Sequence, residues 1–202
     1  MVKELAWISS NESLGLTDQQ NNASLVWGFF SEYGWTLNAV CGMLGNMVAE
    51  STINPGRWES GIVNPARNGL GLVQWTPGNK LISWCQSQGH NYTDGTAQCL
   101  RIIYELRNGI QYYATADYPL DFWAFTSSTE NPQYLASAFL YNYERPLDPG
   151  DTEQYRRNQA QYWWDYFEGG PVPPPPDPPG PIPGGGGGML PFIFWGRKRF
   201  IT

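Results

Sequence analysis

The 202-residue chain is long enough for one compact domain and an additional segment. Its formal net charge is −6 and its pI is about 4.7. Because nucleic-acid-binding surfaces gain affinity from clustered Lys and Arg, this charge argues against a nucleic-acid partner. No apolar run approaches the roughly 18 residues that span a bilayer, and the N-terminus MVKELAWISSNESLG lacks the apolar segment of a secretory signal. We therefore expect a protein that does not follow the ordinary export route.

The residues before Gly169 predict helices separated by polar turns. Thr17 is a candidate N-cap for a helix that stops before Gly34, and Thr36 is the candidate N-cap of the next. The second helix carries an apolar stripe formed by Leu37, Val40, Leu44, Met47 and Val48. Start and stop signals predict further helices at 76–89, 96–109, 131–145 and about 150–167, with irregular loops at 54–75 and 109–121. No hairpin signal is evident, so the expected fold class is mainly α.

The composition changes sharply at Gly169, which divides the chain into a domain at 1–168, a linker and a tail. The linker, 169–188, combines a Pro run that favours polyproline II with five flexible glycines. The tail, 189–202, joins an apolar-aromatic patch to a basic cluster. It is a candidate docking peptide for a partner protein, a candidate membrane-surface peptide, or a disordered end.

Glu50 closes an apolar helical run immediately before an Asn-Pro-Gly break, in the stretch GNMVAESTINPG. A carboxyl flanked by apolar groups at a helix C-terminus resists ionisation, so it is suited to donate a proton. A surface Glu near a helix end is the alternative from this stretch alone. The segment NGLGLVQWTPGN adds glycines for close backbone approach, an amide at Gln74 and a stacking face at Trp75, and an ordinary glycine turn is its alternative.

Together these segments resemble the goose-type and lytic-transglycosylase branch of the lysozyme superfamily. With WTLNAVCGMLGNMVAESTINPG, GLGLVQWTP and YERP, residues 20–167 resemble the phage tail lysozyme family. The resemblance implies a lysozyme-like helical domain that cleaves the MurNAc–GlcNAc glycan strand of peptidoglycan. It also implies a location on the phage tail, synthesis in the host cytoplasm, action on the host cell wall, and contact of the tail segment with virion proteins.

The resemblance assigns site residues by matching positions. Glu50 matches the general acid, and Ser51 and Asn54 match polar residues that order the following loop. The expected groove wall consists of Gly71, Leu72, Gln74 and Trp75. Tyr141 and Asn142 loosely match a cleft-facing pair.

Glycoside hydrolysis normally needs a second carboxylate. Glu59 is the favoured candidate, with Asp94, Asp117 and Asp121 as others. Without one, attack by a held water or by the substrate's own groups is possible, and the latter makes the enzyme a lytic transglycosylase. A non-catalytic glycan-binding or structural tail protein is the remaining alternative.

Other chemistries have little support in the sequence. A Cys–His hydrolase would have to use Cys41 with His90, but Cys41 lies within the apolar stripe, where a thiol stays protonated. One His and scattered Cys provide no metal-ligand spacing, so we expect no metal and no cofactor. Cys85 and Cys99 could pair under oxidising conditions, although small buried thiols are the favoured interpretation.

Overall fold

The computed structural model describes residues 6–146, 150 and 152–169, so the predicted linker and tail lie outside the described residues. The described residues form seven α-helices: α1 (Leu16–Glu32), α2 (Leu37–Ser51), α3 (Asn79–Ser87), α4 (Gly95–Asn108), α5 (Phe122–Thr126), α6 (Pro132–Phe139) and α7 (Thr152–Glu168). A 3-10 helix at Glu59–Gly61 and a π-helical turn at Leu140–Glu144, which continues α6, complete the helical structure. The predicted mainly α fold is confirmed.

The helix starts follow local capping chemistry. Thr36 caps α2 as predicted, because its Oγ1 accepts a hydrogen bond from the Ala39 backbone N–H at 3.2 Å. Asn131 likewise caps α6, with Pro132 as its first residue. Two predicted starts were wrong. Thr17 lies inside α1, whose N-cap is Gly15, and α3 begins only at Asn79, beyond the cis Thr76–Pro77 bond.

Helix α2 is the central element, because it packs against α1, α6 and α7. Every residue from Ala39 to Val48 is buried, so the apolar stripe read from the sequence was too narrow. Two glycines permit this close packing. A Cβ on Gly42 would lie 2.7 Å from Leu135 Cβ of α6, and one on Gly45 would lie 2.3 Å from the Arg156 carbonyl oxygen of α7. The small residues therefore bring α6 and α7 against the helix that carries Glu50.

The aromatic residues are mainly core residues rather than an open stacking surface. Phe139 and Tyr143 stack with ring centroids 4.4 Å apart, and Tyr112 stacks on Phe122 at 4.6 Å. The loop at 54–75 is largely irregular, as predicted, apart from the 3-10 turn at Glu59–Gly61. Among the described residues, β structure is limited to the isolated bridges Trp58–Leu70 and Leu70–Trp75. In the part of the chain that the structure describes, no helix has the length and apolarity required to cross a membrane.

Candidate active site

Glu50 lies in the last turn of α2, where the chain makes an abrupt left-handed corner. Thr52 and Ile53 follow with φ of 58° and 56°, a region that non-glycine residues adopt at a cost of about 1–3 kcal/mol each. The Asn22 side chain holds this corner by donating to the Ile53 carbonyl oxygen at 2.9 Å. The corner ends α2 immediately after Glu50 and redirects the chain into the 54–75 loop.

The carboxylate of Glu50 forms an ion pair with Arg156 of α7. Arg156 Nη2 lies 2.7 Å from Glu50 Oε1, and the two side chains are 1% and 5% exposed, respectively. The sequence predicted an apolar flank for Glu50 and did not predict this partner. A guanidinium at this distance stabilises a carboxylate through a charge-assisted hydrogen bond, so Glu50 is neither a surface residue nor a purely apolar-flanked one.

Asn46 fixes the position of the arginine, one turn before Glu50. Its Oδ1 accepts from Arg156 Nη1 at 2.7 Å, while its Nδ2 donates to the Gly42 and Ala136 carbonyl oxygens at 3.0 and 2.9 Å. Asn46 and Arg156 are both fully buried. This chain of hydrogen bonds connects α6, α2 and α7, and it gives Glu50 a rigid mount.

Ser51 and Asn54 order the loop after α2. The Ser51 hydroxyl donates to the Leu72 carbonyl oxygen at 3.1 Å and accepts from the Asn54 backbone N–H at 3.2 Å. Asn54 Nδ2 donates to the Glu12 carbonyl oxygen, and its Oδ1 accepts from the Ser10 N–H at 3.1 Å. Both side chains are buried, and these contacts agree with the loop-ordering role that the resemblance assigned to them.

Gly71 and Leu72 lie behind the loop rather than on an open groove. Gly71 has a φ of 83°, and a Cβ there would lie 2.5 Å from Gln98 Oε1 of α4. Gln98 accepts from the Leu72 N–H at 2.8 Å and donates to the Pro55 carbonyl oxygen at 2.7 Å. The close approach that the glycine allows is therefore to Gln98 of the same chain, which connects the loops after α2 and before α3.

Gln74 and Trp75 are also held from inside the protein. Gln74 Nε2 donates to the Arg57 and Gly71 carbonyl oxygens, each at 3.0 Å. Trp75 is 3% exposed and donates its indole N–H to Glu105 at 2.9 Å. The structure thus corrects the expectation that Trp75 offers a stacking face. The roles of these residues in binding substrate stay predictions, and their contacts indicate that they support the loop.

Glu105 is a buried carboxylate that the sequence analysis missed. Besides Trp75, it accepts from the Tyr143 hydroxyl at 2.5 Å and from Arg101 Nε at 3.0 Å. Burial raises the pKa of Glu105, and the charge of Arg101 opposes that rise. This network connects α4 to the π-helical turn and to the 54–75 loop.

Tyr141 and Asn142, adjacent in sequence, have different environments. Asn142 is buried, and its Nδ2 donates to the Tyr118 carbonyl oxygen at 2.9 Å, which fixes the loop after α4. Tyr141 is partly exposed, stacks on Tyr118 with ring centroids 5.3 Å apart, and donates its hydroxyl to Glu153 Oε2 at 2.7 Å. Only Tyr141 of this pair retains the accessible face that a cleft residue needs.

The candidate second carboxylates mainly have structural partners. Glu59 Oε2 accepts from the Gly69 N–H at 2.9 Å and thereby supports the loop. Asp94 and Asp121 cap α4 and α5. Asp117 is exposed. The contacts of Glu59 do not exclude a second role, so its catalytic assignment stays a prediction.

The three cysteines are free and buried, so the alternative of a Cys85–Cys99 pair is not present in the structure. Burial raises the pKa of Cys41 and Cys99 strongly and that of Cys85 to about 11. A thiol nucleophile needs a lowered pKa, so Cys41 does not have the environment of a catalytic cysteine. Within the described residues, no three His, Cys, Asp or Glu side chains group as a metal-ligand set.

Comparison with known proteins places this chain in a family. The sequence profile of the family described as phage tail lysozyme matches residues 21–167, most of the chain. The chain belongs to the phage tail lysozyme family. Morphogenesis protein 1 of Bacillus phage B103 is 39% identical over 161 residues, which are 80% of this chain and 43% of that protein. The chain therefore spans less than half the length of this relative. Membership of the phage tail lysozyme family identifies a phage-associated, lysozyme-like protein.

The sequence analysis missed Glu105 and also Arg156, Asn46, Gln98 and Glu153. Arg156 left one signal in the sequence of this phage tail lysozyme domain, because it shares a helical face with Gln159, Ala160 and Trp163, all of which are buried. An arginine in the register of a buried face requires an anionic or polar partner. The identity of that partner depends on how α7 packs against α2.

Proposed function

We propose that this chain is a peptidoglycan-cleaving glycosidase that acts on the MurNAc–GlcNAc strand, with Glu50 as its general acid. The observation that carries the proposal is the mount of Glu50: a carboxyl at the end of a central helix, paired at 2.7 Å with a fully buried arginine. A carboxylate used only for binding at the surface does not need such a partner. The family match over residues 21–167 supports the substrate class.

In the proposed reaction Glu50 acts first, and Arg156 then stabilises the charge left on Glu50. In the proposed step Glu50 first takes up a proton from solvent and then donates it to the glycosidic oxygen as the bond to the sugar breaks. The group that remains is a carboxylate, and the guanidinium of Arg156 stabilises this new charge in a site from which water is largely excluded. Arg156 acts through Glu50 in this scheme, so it is a positioning residue.

We propose that Ser51, Asn54, Gly71, Leu72, Gln74 and Trp75 shape the groove wall from behind its surface. Tyr141 and Asn142 form a second set, of which only Tyr141 is accessible to substrate. The first set keeps the 54–75 loop in place through internal hydrogen bonds. This arrangement supports indirect roles for the buried members and direct contact with sugar for Tyr141. Glu59 stays the second-carboxylate candidate from sequence.

The biological setting is proposed from the family. We expect a virion component of the phage tail that is made in the host cytoplasm and opens the host cell wall during entry. Residues 189–202 are the proposed contact with other tail proteins, and a membrane surface is their alternative partner. The same evidence is compatible with a lytic transglycosylase, or with a glycan-binding structural protein that has no turnover.

Product analysis with Glu50→Gln tests this proposal. Purified peptidoglycan is incubated with the wild-type chain or the variant, and new glycan ends are identified by mass spectrometry. We expect reducing ends from the wild type and essentially none from Glu50→Gln, with sugar binding and fold retained. Glu32→Gln is the matched control, because Glu32 is an exposed Glu at the end of α1.

Each outcome distinguishes the alternatives. Anhydro-muramyl ends would identify a transglycosylase. A wild-type chain that binds the glycan without producing new ends would support the structural protein. Full activity of Glu50→Gln would contradict the assignment of the general acid.

A further inference from the structure

Glu153 lies on α7 one helical turn before Arg156, the partner of Glu50. The end of α2 carries Glu50, the end of α6 carries Ser137, and the first turn of α7 carries Glu153. Arg156 is three residues after Glu153, so the two share one face of α7, with Cβ atoms about 5–6 Å apart. Because Arg156 contacts Glu50 directly, Glu153 lies one helical turn from the partner of Glu50.

Hydroxyl groups hold the carboxylate of Glu153 in place. Ser137 Oγ donates to Oε1 and Tyr141 Oη donates to Oε2, both at 2.7 Å, and Tyr118 Oη lies 3.5 Å from Oε1. Arg157 Nη1 donates to the Ser137 hydroxyl at 3.0 Å, which orients that group. These contacts fix the position of the carboxylate.

The surroundings of Glu153 suit a sugar. The stacked rings of Tyr118 and Tyr141 are partly exposed, and their planes differ by only 8°. Partly exposed aromatic rings next to a carboxylate are a common setting for carbohydrate rings. Among the carboxylates considered from the sequence, Glu59 supports a loop, and Asp94 and Asp121 cap helices.

We infer that Glu153 is the second carboxylate of the glycosidase reaction and takes a proton from the attacking water. This inference rests on the proposed function. The water oxygen forms a bond to the anomeric carbon while the bond from that carbon to the bridging oxygen breaks. Glu50 gives its proton to the bridging oxygen, and Glu153 receives one proton from the water. Solvent then returns both groups to their starting states, and the anomeric configuration is inverted.

The test uses the full 202-residue chain, purified peptidoglycan and water enriched in 18O. We expect the wild type to place 18O in new reducing ends with inversion. Glu153→Gln should lower the rate about 100-fold or more, because a general base contributes roughly 10²–10⁴-fold. Asp18→Asn is the matched control, since Asp18 is an acidic residue in the first turn of α1, and its rate should equal that of the wild type.

Azide rescue separates a catalytic role from a structural one. Azide needs no general base, so it should attack the sugar in Glu153→Ala and give a glycosyl azide, while Asp18→Asn with azide gives none. Near-ultraviolet circular dichroism shows whether Glu153→Gln is folded. If it is not, Glu153→Asp replaces it, and a fall in its rate of about tenfold or more supports the inference.

Several results would overturn the inference while leaving the glycosidase intact: an active Glu153→Gln, absence of any azide product from folded Glu153→Ala, retention of configuration, or anhydro ends without 18O. A wild-type chain that produces no new ends would overturn the proposed function as well.

Discussion

Replacing Arg156 by Met tests whether the Glu50–Arg156 pair holds the site together. The variant keeps much of the side-chain volume but leaves the Glu50 carboxylate, 5% exposed, without its 2.7 Å partner. It also removes the donor to Asn46 Oδ1. Breaking a buried ion pair from one side costs about 3–5 kcal/mol. For a chain of this size, that corresponds to a fall in melting temperature of about 6–20 °C.

The assay is a double-mutant cycle of urea unfolding. The wild type, Arg156→Met, Glu50→Gln and the double variant are unfolded under identical conditions, and their free energies of unfolding are compared. The double variant should be more stable than the sum of the single changes predicts, because the amide in Glu50→Gln leaves no buried charge. Arg107→Met is the matched control, since Arg107 is an exposed arginine whose guanidinium only covers the Tyr33 ring.

The reasoning would be refuted by additive effects. If the coupling energy between positions 50 and 156 is below about 0.5 kcal/mol, the two residues do not depend on each other for stability. The same conclusion would follow if Arg156→Met were no more destabilising than the surface control.

Two further predictions concern packing and pH. Gly45→Ala should destabilise the fold by about 1–3 kcal/mol or more, because its Cβ would lie 2.3 Å from the Arg156 carbonyl oxygen. Gly28→Ala on α1 should instead stabilise the fold by about 0.5–1 kcal/mol, because a Cβ at Gly28 meets no atom within 4 Å. Equal melting temperatures of the two variants would contradict this prediction. Burial raises the pKa of Glu105 in the folded state above the value of about 4.3 expected in the unfolded chain. The stability that protonated Glu105 contributes is therefore complete below the unfolded-state pKa and is lost as the pH rises through the folded-state pKa. Glu105→Gln should therefore flatten the decline of unfolding free energy with pH in urea titrations, and parallel curves would count against it.

The helices could be predicted mainly where local signals control them. Thr36 and Asn131 were identified as caps because capping depends on residues within one turn. The short helix α5 was missed, since its five residues are too few for a periodic pattern. The start at Thr76 was wrong because capping residues also occur in turns, and there the helix begins only after the following Pro and Gly.

The sequence by itself determined the mainly α class and the place of Glu50 at the end of an apolar helix. These follow from short-range periodicity, capping and the Asn-Pro-Gly break, all within a few residues. Only the tertiary structure decided that Glu50 pairs with Arg156, that Gly71 approaches Gln98, and that Trp75 donates to Glu105. The partners in these three pairs are 106, 27 and 30 positions apart in the chain, respectively. Local pattern carries no information about such pairs, because they depend on how closely α2, α4 and α7 pack.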